Sequence, residues 1–198
     1  MHPSIHGGIL ARRDNPSHVD TVDRFGIPSI EIVIVNLYPF RQTVLSTPAP
    51  SFEEGVEKID IGGPAMIRAA AKNHEHVYVI VDPEDYSELL EALKSDVTGD
   101  SQKQFRRRLA WKAFQHCATY DALVSEWLWS QLGNEAPPSD LTVPLHRIQC
   151  LRYGENPHQE ASFYIDQSLH KHDLGGTAAA HQHHGKEMSY NNYLVKDA

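Results

Sequence analysis

The sequence predicts an α/β fold, an open parallel sheet with flanking helices. Three observations carry that expectation. Residues 29–37, SIEIVIVNL, form a β-branched apolar run with little alternation, the pattern of a strand covered on both faces. Residues 77–81, VYVIV, repeat the pattern. Helical start signals lie between and after these runs, so strands alternate with helices, as parallel connections require. In such sheets a ligand sits outside the carboxyl ends of the strands. Asn36, Leu37, Tyr38, Asp60 and Asp82 fall near those ends.

Each element has its local reason. Pro39 cannot donate to a ladder, so Tyr38-Pro39-Phe40 ends the first strand. Residues 41–50 read as a loop containing Pro48 and Pro50. Ser51 followed by Glu54 is a capping box and starts a short helix over 51–58. In IDIGGPAMIRAAAKN, residues 59–73, Gly62 and Gly63 permit a tight turn. Pro64 suits the first position of a helix over 64–73. Asp82-Pro83 opens a further helix over 83–94. Residues 101–132 are helical, with Phe105, Leu109, Ala113, Cys117, Tyr120, Val124, Trp127 and Leu128 on one apolar stripe. Such length predicts a break near 119–121. Trp127 and Trp129 read as packing, and Arg106, Arg107 and Arg108 as a solvated helix face.

Residues 133–144, GNEAPPSDLTVP, are a linker by composition. A turn at Asn156-Pro157 and a strand over 161–165 follow, and 186–192 begins a helix or a strand. The expected organisation is therefore a first domain over 1–132, a linker over 133–147 and a second domain starting at 148.

Composition narrows the function classes. A chain of 198 residues with 40% hydrophobic and 22% charged residues suits a soluble globular protein. A net charge of −8 argues against a general nucleic-acid binder. Two cysteines, Cys117 and Cys150, make no framework or metal spacing, so a reducing compartment is expected. No apolar run approaches the roughly 20 residues that span a bilayer. The N-terminus has no signal-peptide or transit-peptide pattern, and both ends read as abrupt.

Several stretches could carry chemistry. The start of the helix after Gly62-Gly63 offers free N–H groups to an anion, and Asp60 can accept from an amide. Lys72 lies eight residues beyond Pro64, so it meets the turn only by reaching along the helix. On spacing alone, a plain strand-to-helix turn with a surface lysine is the simpler reading. Asn36 and Tyr38 in NLYPF either face a ligand or pack under the loop. His6, Gly7 and Gly8 could shape an anion pocket. In RYGENPHQ, Arg152 could clamp a phosphate and Tyr153 could stack on a ring; a structured turn is the alternative. His181, His183 and His184, with His170 and His172 nearby, have poor zinc spacing, so no metal is expected. The known nucleotide-loop and hydrolase-elbow motifs are absent.

The segments IHGGILARRD, NLYPF, residues 60–73, VDPEDY, LRYGENPHQ and GKEMSYNN run colinearly from His2 to about Asn192. Together they resemble the bifunctional purine-biosynthesis family that is both phosphoribosylaminoimidazolecarboxamide (AICAR) formyltransferase and IMP cyclohydrolase. Residues 105–129 look like plant versions of it. The resemblance implies a methylglyoxal-synthase-like first domain, followed from about Arg147 by the opening of the formyltransferase domain. It also implies truncation at both ends, with phosphate loops and a lysine expected before Met1 and the remaining formyltransferase domain after Ala198. The family reads SYNNxLDADAA where this chain reads SYNNYLVKDA.

By resemblance, Asn36, Leu37 and Gly62 bind the nucleotide, Tyr38, Asp60 and Lys72 carry the ring closure, and Arg152 and Tyr153 hold AICAR. Tyr38 and Lys72 would donate to the formyl oxygen while Asp60 orients the carboxamide; no metal and no covalent nucleophile are needed. The implied co-substrate of the full-length enzyme is 10-formyltetrahydrofolate, and the implied partners are purine ribonucleotide precursors and a second copy in a homodimer. The expected compartment is the cytosol, or the plastid stroma in a plant. The 198-residue chain by itself is expected to be inactive, the alternatives being a nucleotide-binding remnant or an unstable fragment.

Overall fold

The structure is a computed structural model that describes residues 2–94, 99–133, 136–169, 173–181 and 183–196. It divides into two compact units. The first comprises residues up to Thr43 together with Pro50–Asp121, and the second comprises Val44–Ala49 with the residues from Ala122 onward.

The first unit opens with helix α1 (Pro3–Leu10) and helix α2 (Pro16–Arg24). Each starts at a proline in the first turn, behind a side-chain cap from His2 or Asn15. The HGG stretch is therefore helical. Gly8 is there for packing: a Cβ would stand 2.4 Å from the Pro28 carbonyl oxygen. The contact is fixed by the Ile30 N–H donating to the Gly8 carbonyl at 3.1 Å.

Strand β1 (Ile32–Ile34) is shorter than its apolar run. Helix α3 (Phe40–Val44) occupies the start of the stretch expected as loop. Helix α4 (Phe52–Glu57) carries the expected capping box, with Ser51 N–H to Glu54 Oε2 at 2.8 Å and Glu54 N–H to Ser51 Oγ at 3.2 Å. Helix α5 (Gly62–Lys72) leads to strand β2 (Tyr78–Ile80), which pairs parallel with β1, Val33 opposite Val79. A short 3-10 turn (Pro83–Asp85), capped by Asp82, leads into helix α6 (Tyr86–Lys94).

The parallel sheet and its flanking helices bear out the predicted α/β class. β2 is buried throughout, as its apolar run requires. β1 is not: Val33 is buried but Ile34 is 50% exposed. An apolar run supplies side chains to both faces; Val33 is in the core and Ile32 packs partly against it, but the face that carries Ile32 is left open at Ile34.

Helix α7 (Asp100–Ser130) is continuous, without the break expected at 119–121. No glycine or proline interrupts it, and Tyr120 is anchored by hydrogen bonds at the site of the supposed break. Phe105, Leu109, Ala113, Cys117 and Tyr120 are buried as the stripe predicts; beyond Tyr120 its members Val124 and Trp127 are half-buried and Leu128 is exposed, and Trp129, expected to pack, is exposed as well. The boundary between the units falls within α7, after Asp121.

In the second unit, strand β3 (Leu145–Cys150) pairs antiparallel with strand β4 (Ser162–Asp166). Residues 145–147, assigned to the linker by composition, are thus strand. β3 escapes pattern reading because nearly all its side chains are exposed. A 3-10 turn (Gly176–Ala179) precedes helix α8 (Tyr190–Lys196), which settles the helix-or-strand ambiguity of GKEMSYNN. His170 and His172 of the histidine cluster lie outside the described residues. No described helix is long and apolar enough to cross a membrane.

Candidate functional site

In the first unit, the turn before α5 gathers the NLYPF and IDIGG segments. The Asp60 carboxylate accepts from the Gly63 N–H through Oδ1 at 2.8 Å. Its Oδ2 accepts from the Tyr38 N–H at 3.4 Å, joining residues 22 apart in sequence. The Asp60 N–H donates to the Tyr120 Oη at 2.7 Å, and that hydroxyl donates to the Lys58 carbonyl at 3.3 Å. Helix α5 starts two residues earlier than expected, so Pro64 stands third and not first. The shift is free, since the N–H that proline lacks has no helical partner there either.

Gly63 lets the carboxylate sit this close. A Cβ would meet Asp60 Oδ2 and Leu37 Cδ2 at 2.6 Å each. Leu37 is thereby packed on the turn. Tyr38 is 58% exposed and Asn36 is exposed. Nothing stands within 4 Å of a Cβ built on Gly62, which leaves its face open for close approach.

At the carboxyl end of β2, Lys112 Nζ donates to Asp82 at 3.0 Å and to Asp85 at 2.7 Å. Burial pushes the Lys112 ammonium down, but the bonds to Asp85 and Asp82 outweigh it and the net shift is upward. Asp82 is held low by its bond from the Glu84 N–H and by Lys112. One turn along α7, His116 is held low by burial, against the pull of Asp82.

In the second unit, Arg152 and Tyr153 occupy a tight turn. The Gly154 N–H donates to Gln159 O at 2.7 Å, and the Gln159 side chain accepts from the Asn156 N–H at 2.8 Å. The Arg152 guanidinium carbon lies 5.4 Å from the Tyr153 ring centroid. Ser189, at the start of α8, is 1% exposed and donates to Asn192 Oδ1 at 2.8 Å. The nearby Ser189 hydroxyl pulls the Tyr153 phenol below its ordinary range, with Arg152 assisting. Asn191 Nδ2 donates to the Glu155 carbonyl at 3.0 Å, so the SYNN segment braces the RYGEN turn.

A family model described as the AICARFT/IMPCHase bienzyme matches residues 70–198, more than half of the chain. The chain belongs to the AICARFT/IMPCHase bienzyme family. It is 50% identical over 201 residues to the bifunctional purine biosynthesis protein PurH of Bacillus cereus strain B4264, covering 100% of this chain and 37% of that protein. It is also 50% identical over 198 residues, with the same coverage, to PurH of Bacillus thuringiensis subsp. konkukian strain 97-27. The chain thus spans 37% of the length of these curated relatives. Among solved structures, the crystal structure of ForH matches 67% of this chain and 66% of its own, with 40% identity and a TM-score of 0.53.

The residues assigned by family resemblance do not all meet. Leu37 and Tyr38 meet the turn that carries Asp60, Gly62 and Gly63, with Asn36 next to Leu37 in the chain. Lys72 lies at the far end of α5, about 15 Å of helix rise from Gly62. It lines a groove with Arg68, His74, Trp111 and Phe114. Arg106 departs from the solvated face expected of the basic run. Its guanidinium carbon lies 4.1 Å from the Tyr78 ring centroid and it donates to the Glu75 carbonyl. Arg107 is exposed, and Arg108 pairs with Glu88. With His74, His76 and Lys103, Arg106 and Arg107 line a cavity of about 370 Å³.

Asp14, Glu75 and His76 are the described group whose spacing could hold a metal. The Arg12 guanidinium already pairs with Asp14 and competes for that place. Sequence reasoning missed the contributions of Tyr120 and Ser189. Tyr120 read as one member of an apolar stripe, and a hydroxyl's partner has no local sequence signature. Ser189 could have been suspected from Asn192 three residues on, the spacing of a reciprocal cap.

Proposed function

We propose that this chain serves de novo IMP synthesis, with its first unit forming one wall of the IMP cyclohydrolase pocket and its second unit contributing to AICAR formyl transfer. The observation that carries the reading is the Asp60 carboxylate, joined to Gly63 and to the Tyr38 backbone at the carboxyl end of β1. Ligands of open α/β sheets bind at such ends.

Ring closure of formyl-AICAR joins the carboxamide nitrogen to the formyl carbon, and water then leaves. In the proposed scheme Asp60 accepts a hydrogen bond from the carboxamide and aims its nitrogen at the formyl carbon. The exposed Tyr38 hydroxyl donates to the formyl oxygen as negative charge develops there. The AAAKN resemblance gives Lys72 a second donor role, but Lys72 lies about 15 Å along α5 from Gly62, so this scheme assigns it no step. Asn36, Leu37 and Gly62 contact the nucleotide.

In the second unit, Arg152 supplies a fork for a phosphate and Tyr153 a ring face for AICAR. The formyl donor is 10-formyltetrahydrofolate, bound by the full-length enzyme. The working form is a homodimer in the cytosol, or in the plastid stroma of a plant.

Calorimetric titration of the chain with IMP tests the proposal. Saturable binding that Asp60→Ala abolishes is the expected result, and no binding contradicts it. For the chain alone we expect binding without turnover, the behaviour of a nucleotide-binding remnant; IMP formed from formyl-AICAR would overturn that part. In a full-length relative, a Tyr38→Phe equivalent that leaves turnover unchanged removes Tyr38 from the scheme.

A further inference from the structure

Tyr120 lies 60 residues beyond Asp60, on a different helix, yet its hydroxyl closes the IDIGG turn. It accepts the Asp60 N–H at 2.7 Å and donates to the Lys58 carbonyl at 3.3 Å. A single oxygen thus fixes the backbone on both sides of residue 59. The ring is 8% exposed and meets Phe40 edge-on, the centroids 6.0 Å apart. Phe40 is 1% exposed and follows directly on Tyr38-Pro39. Through its hydroxyl Tyr120 holds the segment that presents Asp60, and through its ring it holds the segment that presents Tyr38.

The carboxylate itself bonds the Gly63 and Tyr38 N–H groups, and Tyr120 holds the backbone that carries it. The α5 N-cap, Ile61, makes no side-chain capping bond, so Asp60 alone caps the helix start through Gly63. Where Asp60 points therefore depends on where its own backbone is held. Burial pushes the Tyr120 phenol up, with the Asp60 N–H bond as a smaller opposing influence, so the proton that bonds Lys58 stays in place at neutral pH.

We infer that Tyr120 is the positioning residue for the ring-closing site, setting Asp60 and Tyr38 against one another without touching the ligand. The nucleotide part of this inference rests on the cyclohydrolase reading above; the positioning part does not.

The test is Tyr120→Phe, which keeps the ring and its Phe40 contact and removes only the hydroxyl. The Gly63 amide signal in ¹H–¹⁵N spectra reports the geometry, because its bond is to the Asp60 carboxylate. In the variant, Gly63 amide exchange speeds up by about tenfold or more, because its bond to Asp60 Oδ1 is no longer held in place. The Val79 and Ile80 amides keep their protection. An unchanged Gly63 signal overturns the inference.

If the variant fails to fold, the wild-type Asp60 amide decides: slow exchange supports its bond to Tyr120, and exchange as fast as an exposed loop refutes it. IMP binding is read alongside and should weaken by about tenfold. A wild-type chain that binds no IMP defeats the cyclohydrolase reading, while the Gly63 and Asp60 amides still decide whether Tyr120 positions the turn.

Discussion

The Asp60 turn and the Arg152–Tyr153 turn are built on opposite plans. At Asp60 both carboxylate oxygens, the backbone N–H and the neighbouring carbonyl at Lys58 all have protein partners. The turn rests on two long helices and on the end of a strand. In the other turn Arg152 is exposed and Tyr153 half-buried, and the turn is braced mainly by Ser189, Asn191 and Gln159. Under the proposed function, the first plan would fix an orienting group before a ligand arrives, and the second would offer charge and ring surface that a ligand itself must order, at a cost in side-chain entropy.

The glycines offer the sharpest way to break that comparison. Gly63→Ala drives a Cβ into Asp60 and Leu37, both held by packing. It should destabilise the first unit by about 2–3 kcal/mol in urea denaturation, the upper range for overpacking. Gly154 is buried too, and a Cβ there meets Gln159 Cβ at 2.9 Å and the Glu160 carbonyl oxygen at 3.3 Å, so Gly154→Ala should cost about 1–2 kcal/mol. Equal losses would mean that the two turns are equally rigid.

Ser189→Ala should cost about 1–2 kcal/mol, because it removes a buried hydroxyl that bonds Asn192. It should also move the Tyr153 titration upward, toward that of an ordinary phenol, because the Ser189 hydroxyl is what lowers it. Ultraviolet difference titration reads this directly. A Tyr153 titration that stays put would remove Ser189 as the brace.

The smallest effect concerns pH. Asp82 is depressed, so its contribution to stability is present above the ordinary aspartate range and fades as pH falls through its folded value. Lys112 is raised, so its contribution is present below the ordinary lysine range and fades as pH rises through its folded value. The pair therefore supports the first unit between about pH 4 and pH 10. Thermal melts across that range should show a plateau with a fall on either side, and Lys112→Met should lower the plateau and soften both falls. Arg152→Met, in the second unit, should leave the melts unchanged across the same range. A comparable fall there would erase the contrast.

How much of this was legible in the sequence follows from what each element depends on. β2 and the Ser51–Glu54 box were readable because local pattern decides them. β1 was readable as a strand but not in its exposure, since an apolar run does not say which of its faces the rest of the chain will cover. The continuity of α7 was hidden because length argued for a break, while the hydrogen bonds that pin Tyr120 come from a turn 60 residues away. At the site, the local residues around Asp60 could be named from their motifs. Lys72 could be named too, but helix rise carries it to another groove. The braces Tyr120 and Ser189 could not, because their partners are set by tertiary contact.

The central claim is that the Asp60 turn is the nucleotide-facing wall of the first unit. Amide shift mapping during titration with IMP tests it most directly. The account predicts that Tyr38, Asp60, Gly62 and Gly63 move together and saturate. If they stay still while His74, Lys103 and Arg106 around the cation-lined cavity respond, the nucleotide binds elsewhere and the claim is contradicted.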